Sequence, residues 1–293
     1  MKKGIQFALI TSFISGFSIF YSKLAVAKMD PLFFTTLKNA VVAVFLSVLI
    51  LTPKIMSELT KLNRSNWKRL IAIGLIGGGI PFALFFIGLT KTPAINANLI
   101  HKTLFIWVAL LAIPLLKEKL KPIQIVGYVL VLAANLFVGG FKSFTFGIGE
   151  LMIFGATVLW AVENILAKKT LASVSPMIVA WARMTFGLVI LLAIIAYQGK
   201  LSIITTLTPA QLQIGLVSGL LLTGYVLSWY KALSLAPATV VSAVLVSATI
   251  VTNVLTVVFI DHKAPTIGVN MILLTIGLLL IVLFSRRRNI AVN

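Results

Sequence analysis

Apolar stretches of about 20 residues, the length that carries a helix across roughly 30 Å of hydrocarbon, follow one another along this chain with little between them. They run at 4–27, 31–52, 67–91, 93–116, 122–140, 147–168, 176–197, 209–235, 237–260 and 265–285. Hydrocarbon offers no water to a backbone N–H or C=O, so a chain built of such runs is confined to helices that close their own hydrogen bonds. The expected fold is an all-α integral membrane protein of ten transmembrane helices. With 60% hydrophobic and 11% charged residues, against roughly 25% charged in a soluble domain, a soluble globule is excluded. The sequence has no cysteine, which excludes a disulfide framework, a thiolate metal site and thiol chemistry.

The second half repeats the first. Lys23, Pro31 and Lys38 are matched by Lys168, Pro176 and Arg183, each 145 positions on. At a shift of 144, Phe85-Phe86 meets Trp229-Tyr230, and Thr92-Pro93-Ala94 meets Ala236-Pro237-Ala238. The organisation is one membrane domain made of two five-helix repeats, 1–140 and 147–285. Gly139-Gly140-Phe141-Lys142-Ser143 through Gly147 forms a short link between them. Duplicated halves in a bilayer are the usual build of secondary transporters, whose site lies where the repeats meet.

A net charge of +19 suggests nucleic acid until its distribution is read. With the N-terminus cytoplasmic, one side collects fifteen cations (Lys2, Lys3, Lys54, Lys61, Arg64, Lys68, Arg69, Lys117, Lys119, Lys121, Lys168, Lys169 and Arg286 to Arg288). The other has five: Lys28, Lys91, Lys142, Lys200 and Lys263. This is the positive-inside asymmetry, which puts both termini in the cytoplasm of a cell inner (plasma) membrane. The loops are too short for a groove-reading domain, so nucleic acid is not an expected partner. Five crossings per half start the second half on the opposite side, which makes the repeats inverted. Lys2-Lys3, the apolar run and Ala25-Val26-Ala27 imitate a signal peptide. Cleavage would delete the counterpart of 147–168, so the segment is read as retained.

Two halves that each open with an aromatic-rich, Lys-ended helix, followed by a Pro-initiated helix carrying Lys38 or Arg183, resemble the EamA-like family of the drug/metabolite transporter superfamily. Pro93 and Pro237 at the starts of the fourth and ninth helices fit, as do Glu118 and Asp261 shortly before Pro122 and Pro265. The resemblance covers essentially the whole chain and implies a ten-helix transporter working by alternating access. It leaves the substrate open across amino acids, sugars, nucleotide precursors, metabolites and drugs. The family has arginine in the second helix; Lys38 departs from that and lacks the guanidinium fork.

Polar side chains on helices in lipid face the protein interior or a wet cavity. Thr11, Ser15, Ser18 and Ser22 recur on one face of the first helix. The 145-residue shift sets Trp160 opposite Ser15 and Glu163 opposite Ser18, with Asn164 adjoining. Glu163 is the one carboxylate expected inside the spans, binding a proton or an amine, or pairing with a neighbouring cation. Asn98, His101, Lys102 and Phe105 share an arc of the fourth helix, His101 about 12 Å from its start at 1.5 Å per residue. Three roles compete for Lys102: a pair with Glu163, a substrate anion, or snorkelling. His101 is a structural hydrogen-bonding group or a proton relay. Ser242, Thr249, Asn253 and Thr256 form the answering stripe of the ninth helix.

Gly77-Gly78-Gly79-Ile80-Pro81 in the third helix and Thr223-Gly224-Tyr225 in the eighth interrupt matching helices, which points to hinges at Gly78, Gly79, Pro81 and Gly224. Close helix packing is the competing account. Among the aromatics, Trp160 and Tyr225 neighbour the polar stripes and are expected to line the pathway. Lys23, Lys168 and Lys231 are expected to snorkel at helix ends. Lys38 and Arg183, about ten Å in, serve structure or substrate.

The expected function is a secondary transporter, an exporter of a small metabolite with an anionic group such as an amino acid. The alternative is a broad exporter of apolar or cationic drugs. There is no P-loop, so coupling would use a proton or ion; no cofactor or metal is expected, and the protein would be a monomer or homodimer in the lipid bilayer. An intramembrane enzyme would need a nucleophile with a base, or a metal cluster, and two histidines, His101 and His262, with one intramembrane carboxylate supply neither. A non-transporting scaffold or sensor remains a further alternative.

Overall fold

The computed structural model describes residues 1–26, 29–136, 146–201, 206–262 and 268–285, the side chains of residues 23, 24, 26 and 94 apart. The expected link at 139–143, Pro265, and the cations Lys28, Lys142, Lys263 and Arg286 to Arg288 lie outside the described residues. Every described element is a helix. In the first half these are α1 (Lys2–Val26), α2 (Pro31–Ile50), α3 (Pro53–Leu59), α4 (Arg64–Ile73), a π-helical segment (Gly74–Gly79), α5 (Ile80–Leu89), α6 (Ala94–Lys102), α7 (Leu104–Leu115) and α8 (Pro122–Leu136). In the second they are α9 (Ile148–Thr170), α10 (Pro176–Tyr197), α11 (Pro209–Leu235), α12 (Ala238–Leu245), α13 (Ala248–Phe259) and α14 (Val269–Leu283).

Among the described residues eight spans are long and apolar enough to cross a membrane, several of them made of consecutive helical pieces. The helices α8 and α14, of 15 residues each, are about 22 Å long at 1.5 Å per residue, shorter than the hydrocarbon. Large apolar side chains stand exposed around the outside, among them Val44, Val48, Val129, Val189, Leu220 and Phe259.

Helix starts follow the sequence. Proline, whose missing N–H costs nothing in a first turn, opens α2, α10 and α11. Asp30 caps α2 by accepting from Phe33 N at 3.0 Å, and Thr208 with Gln211 forms a capping box on α11.

The fourth helix of each half departs from expectation, because the runs at 93–116 and 237–260 are each broken in the middle. The break falls at Thr103 in one and at Ser247 in the other, 144 positions apart. At both, the backbone N–H reaches only three residues back, to Ile100 O and Val244 O, at 3.0 Å. Each hydroxyl also donates to that same carbonyl, at 2.6 Å from Thr103 and 2.7 Å from Ser247. A hydroxyl that competes for the i−3 carbonyl offers the backbone an alternative to the helical ladder. Downstream, Lys117 and His262, 145 apart, share a positive φ of 52°.

The halves interlock rather than standing side by side. The first helix of one half packs on the third and fourth helices of the other: α1 against α11, α12 and α13, and α9 against α5, α6 and α7. The second helices pack on the other half's third helix, α2 on α11 and α10 on α4, the π segment and α5, and on each other. Glycine permits the approach: a Cβ on Gly4 would lie 2.9 Å from the Leu235 carbonyl carbon, and one on Gly149 would lie 2.9 Å from that of Lys91. The fifth helices, α8 and α14, pair with each other, Gly127 meeting Gly277. Small residues let helix backbones touch where lipid supplies no hydrophobic drive.

Candidate functional site

The centre of the molecule is organised by one carbonyl. Pro81 has no N–H to donate to Gly77 O, four residues back, and its ring opposes an α-helical path there. The chain widens into the π segment, closing Ile80 N–H on Leu75 O. Gly77 O accepts from Trp160 Nε1 at 3.0 Å and from Arg183 Nη2 at 3.2 Å. A point on the Gly77 backbone, where a Cβ would stand, lies 2.4 Å from Glu163 Cγ, 3.0 Å from its carboxyl carbon and 3.2 Å from Arg183 Nε. Only glycine leaves room for acid and guanidinium to flank the same turn.

Glu163 Oε1 accepts a 2.6 Å hydrogen bond from the Tyr230 hydroxyl. Both residues are almost wholly buried. Arg183, 6% exposed, lies 6.0 Å from the Tyr230 ring centroid and 5.9 Å from that of Phe82. Its Nε makes no hydrogen bond among the described residues. A buried charge stands only when it is answered by partners, and here the phenol answers the acid and the freed carbonyl answers the guanidinium. Tyr225 stacks on Trp229 at 6.1 Å.

Beside this group runs an aromatic row. Trp160 lies 5.3 Å from Phe82, 5.6 Å from Phe85 and 5.0 Å from His101, and Phe85 lies 5.5 Å from Phe86. His101 is edge-on to Phe85 at 5.2 Å, with its Nδ1 buried and unpartnered among the described residues. At the far end stands Lys38, 8% exposed, its Nζ 5.5 Å from the Phe86 centroid and 5.0 Å from that of Phe34. Among the described residues no carboxylate oxygen lies within 4.0 Å of it or of Arg183.

Thus Glu163, Trp160, Arg183, His101 and Lys38 come together, and the other expected residues are placed elsewhere. Asn98 is exposed; α6 turns Asn96 toward α9 instead, donating to Glu150 Oε1 at 2.6 Å. Glu150, in the first turn of α9, is a second buried carboxylate, so Glu163 is not the only one. Lys102 is half-buried at the end of α6. Ser242 is buried but returns its hydroxyl to Thr239 O at 3.1 Å, and Asn253 is half-buried. On α13 the buried polar contact belongs to Thr252, which donates to Gly16 O at 3.0 Å. Asn164 donates to Trp160 O at 2.8 Å, within its own helix. The helix is interrupted at Gly78, Gly79 and Pro81, whereas α11 runs unbroken through Gly224, where no proline intervenes and Thr223 returns its hydroxyl to Gly219 O at 2.9 Å. Lys168 does not snorkel: it donates to the carbonyls of Leu233 and Ala236, closing the end of α11.

Tyr230 was legible only as one more aromatic. Its signal is the repeat itself, since the matching position, Phe86, lacks the hydroxyl. Two clefts, of about 330 Å³ and 200 Å³, are lined by other residues than the buried group; the larger is walled by Ile100, Thr103, Trp107, Glu150 and Phe154, the smaller by Leu111, Leu115, Val162 and Leu166.

A solved crystal structure of a protein 17% identical superposes with a TM-score of 0.73, over 94% of this chain and 96% of its own, and shows the fold alone. The uncharacterized transporter YyaM of Bacillus subtilis (strain 168) is 28% identical over 164 residues. That match spans about half of each protein, 54% of this chain and 53% of the relative. A model of the EamA-like transporter family matches both halves, residues 2–140 and 147–289. With the two halves, the apolar helices and both matches in agreement, this chain is a multi-pass membrane protein and belongs to the EamA-like transporter family.

Proposed function

We propose that this protein is a secondary transporter that exports a small metabolite bearing an anionic group across the cytoplasmic membrane. Ten helices cross the bilayer as two inverted five-helix repeats with both termini inside, and the repeats rock about the buried centre. The observation that carries the reading is the charge at that centre: Lys38 and Arg183 are both buried, and Glu163 stands beside only the second. A site with cationic excess, walled by aromatics, suits an organic anion with an apolar body. Lys102 and His101, at the end of α6, extend it toward the midhelix break at Thr103. The π segment, with Gly78, Gly79 and Pro81, serves as a hinge, and a proton or ion supplies the driving force. The family points to transport rather than catalysis.

The test is uptake of labelled organic acids, amino acids and phosphate esters into inverted vesicles, with Lys102→Ala and Lys38→Gln proteins at matched abundance. Loss of anion flux in these variants is expected, and unimpaired flux in both would overturn the reading. Glu163 within an aromatic wall favours a second reading, export of apolar or cationic compounds. Displacement of the substrate by lipophilic cations but not by anions would select it.

A further inference from the structure

The two halves answer their second-helix cations differently. Arg183 lies over Tyr230 at 6.0 Å, and its repeat mate Lys38 lies over Phe86, the mate of Tyr230, at 5.5 Å. The cation-and-ring pair is therefore built twice. In the second half the ring carries a hydroxyl that holds Glu163 at 2.6 Å. In the first half the ring is phenylalanine, and the position matching Glu163 is Ser18. Burial and ring persist around Lys38, while the carboxylate and its hydroxyl anchor are gone.

A second observation points to the same spot. Glycine brings the third helix of each half against the second-helix cation of the other. A Cβ on Gly78 would lie 2.0 Å from Arg183 O, and one on Gly219 would lie 3.3 Å from Lys38 O. Ser218 directly precedes Gly219 on α11. The Ser218 hydroxyl is buried, at 1% exposure, and makes no hydrogen bond among the described residues. A buried hydroxyl and a buried ammonium, each without a carboxylate acceptor, both cost free energy unless something supplies one.

We propose that the substrate completes the first half: the anionic group of a small organic acid seats between Lys38 and Ser218, in the place matching the one Glu163 fills beside Arg183, with its apolar body along Phe86 and Phe85. The inference rests on the anionic-substrate reading above and refines it. Arg183 has Gly77 O as an acceptor and Glu163 across the same turn, whereas Lys38 takes its acid from the ligand. The two halves thus form one half-site with an acid of its own and one that the ligand completes.

Benzoate is the probe, with benzyl alcohol as its uncharged and benzylammonium as its cationic control, and binding to the purified full-length protein is read by thermal stabilisation and by equilibrium dialysis. Benzoate is expected to bind the wild-type protein, and Lys38→Gln to weaken it about tenfold or more, while Lys38→Arg retains it. The double variant Ser18→Glu/Phe86→Tyr transplants the second half's acid and hydroxyl, and is expected to abolish benzoate binding without loss of folded protein. Should that variant not fold, Lys38→Gln, checked by size-exclusion chromatography, decides alone. Benzoate binding that survives Lys38→Gln but is lost in Arg183→Lys or Lys102→Ala overturns this assignment and leaves the anionic reading standing. Benzylammonium binding with none by benzoate overturns both.

Discussion

Tyr230 donates a 2.6 Å hydrogen bond to Glu163, tying the end of α11 to the middle of α9 in a fully buried setting. Leaving a buried hydrogen-bonding group without its partner costs about 1–3 kcal/mol. Tyr230→Phe is therefore expected to lower stability by that order in thermal or denaturant unfolding in detergent. Because the two side chains act as a pair, Tyr230→Phe and Glu163→Gln should be non-additive. Effects that simply sum would mean that the contact carries no energy.

Gly77 is predicted to tolerate no side chain. Its Cβ would stand 2.4 Å from Glu163 Cγ, so Gly77→Ala should lose folded protein or transport. Gly155→Ala is the control: its nearest neighbour is Leu84 Cδ1 at 4.0 Å, and a helical alanine is favoured over glycine by about 1 kcal/mol. Expression level and thermal midpoint of the two variants check the contrast. Equal behaviour would refute the packing argument.

Glu118 is expected to matter as a cap. Its Oε1 accepts from Ala238 N at 2.8 Å, and its Oε2 from Thr239 N at 3.1 Å and Thr239 Oγ1 at 2.7 Å. A carboxylate on free N–H groups at a helix start is stabilising. Glu118→Ala should cost about 0.5–2 kcal/mol, and Thr239→Val, which removes one of the three donors, should cost less. The reverse order in unfolding measurements would refute the cap.

Asp30 and Lys200 form an ion pair at 2.8 Å, joining the α1–α2 connection to the chain that follows α10. Partial burial pushes the Asp30 carboxyl up, but Lys200 and the N–H groups of Phe33 and Leu32 outweigh it and hold the acid below its ordinary value of 3.8. A depressed carboxyl contributes stability that is present above its unfolded value and lost as pH falls through the folded one. The wild type should therefore lose stability below about pH 4 more steeply than Asp30→Asn. Identical acid limbs for the two would remove the pair from consideration.

Much of this protein is written in local patterns. Apolar runs mark the helices, prolines at 31 and 176 mark helix starts, and the 145-residue spacing pairs Lys38 with Arg183. Those signals are short-range: hydropathy and first-turn chemistry act within a few residues. The fourth-helix breaks were less visible, since Thr103 and Ser247 sit in continuous apolar runs and act through hydroxyls that bend back on their own backbone. The exposure of Asn98 was not legible for a related reason. A helical arc tells which residues share a face, and only the neighbour, α9, decides that Asn96 meets an acid.

The sequence by itself determined a bilayer protein of two related halves, because hydrophobic length and internal repetition are additive along a chain. Tertiary structure decided the centre: that Glu163 takes Tyr230 across 67 positions, that Trp160 and Arg183 converge on Gly77 O across 83 and 106, and that each half packs its first helices on the other. Such relations depend on which surfaces meet in space. A carbonyl freed by Pro81 is a vacancy in the sequence and becomes a site only when the interlocked helices bring an indole and a guanidinium to it.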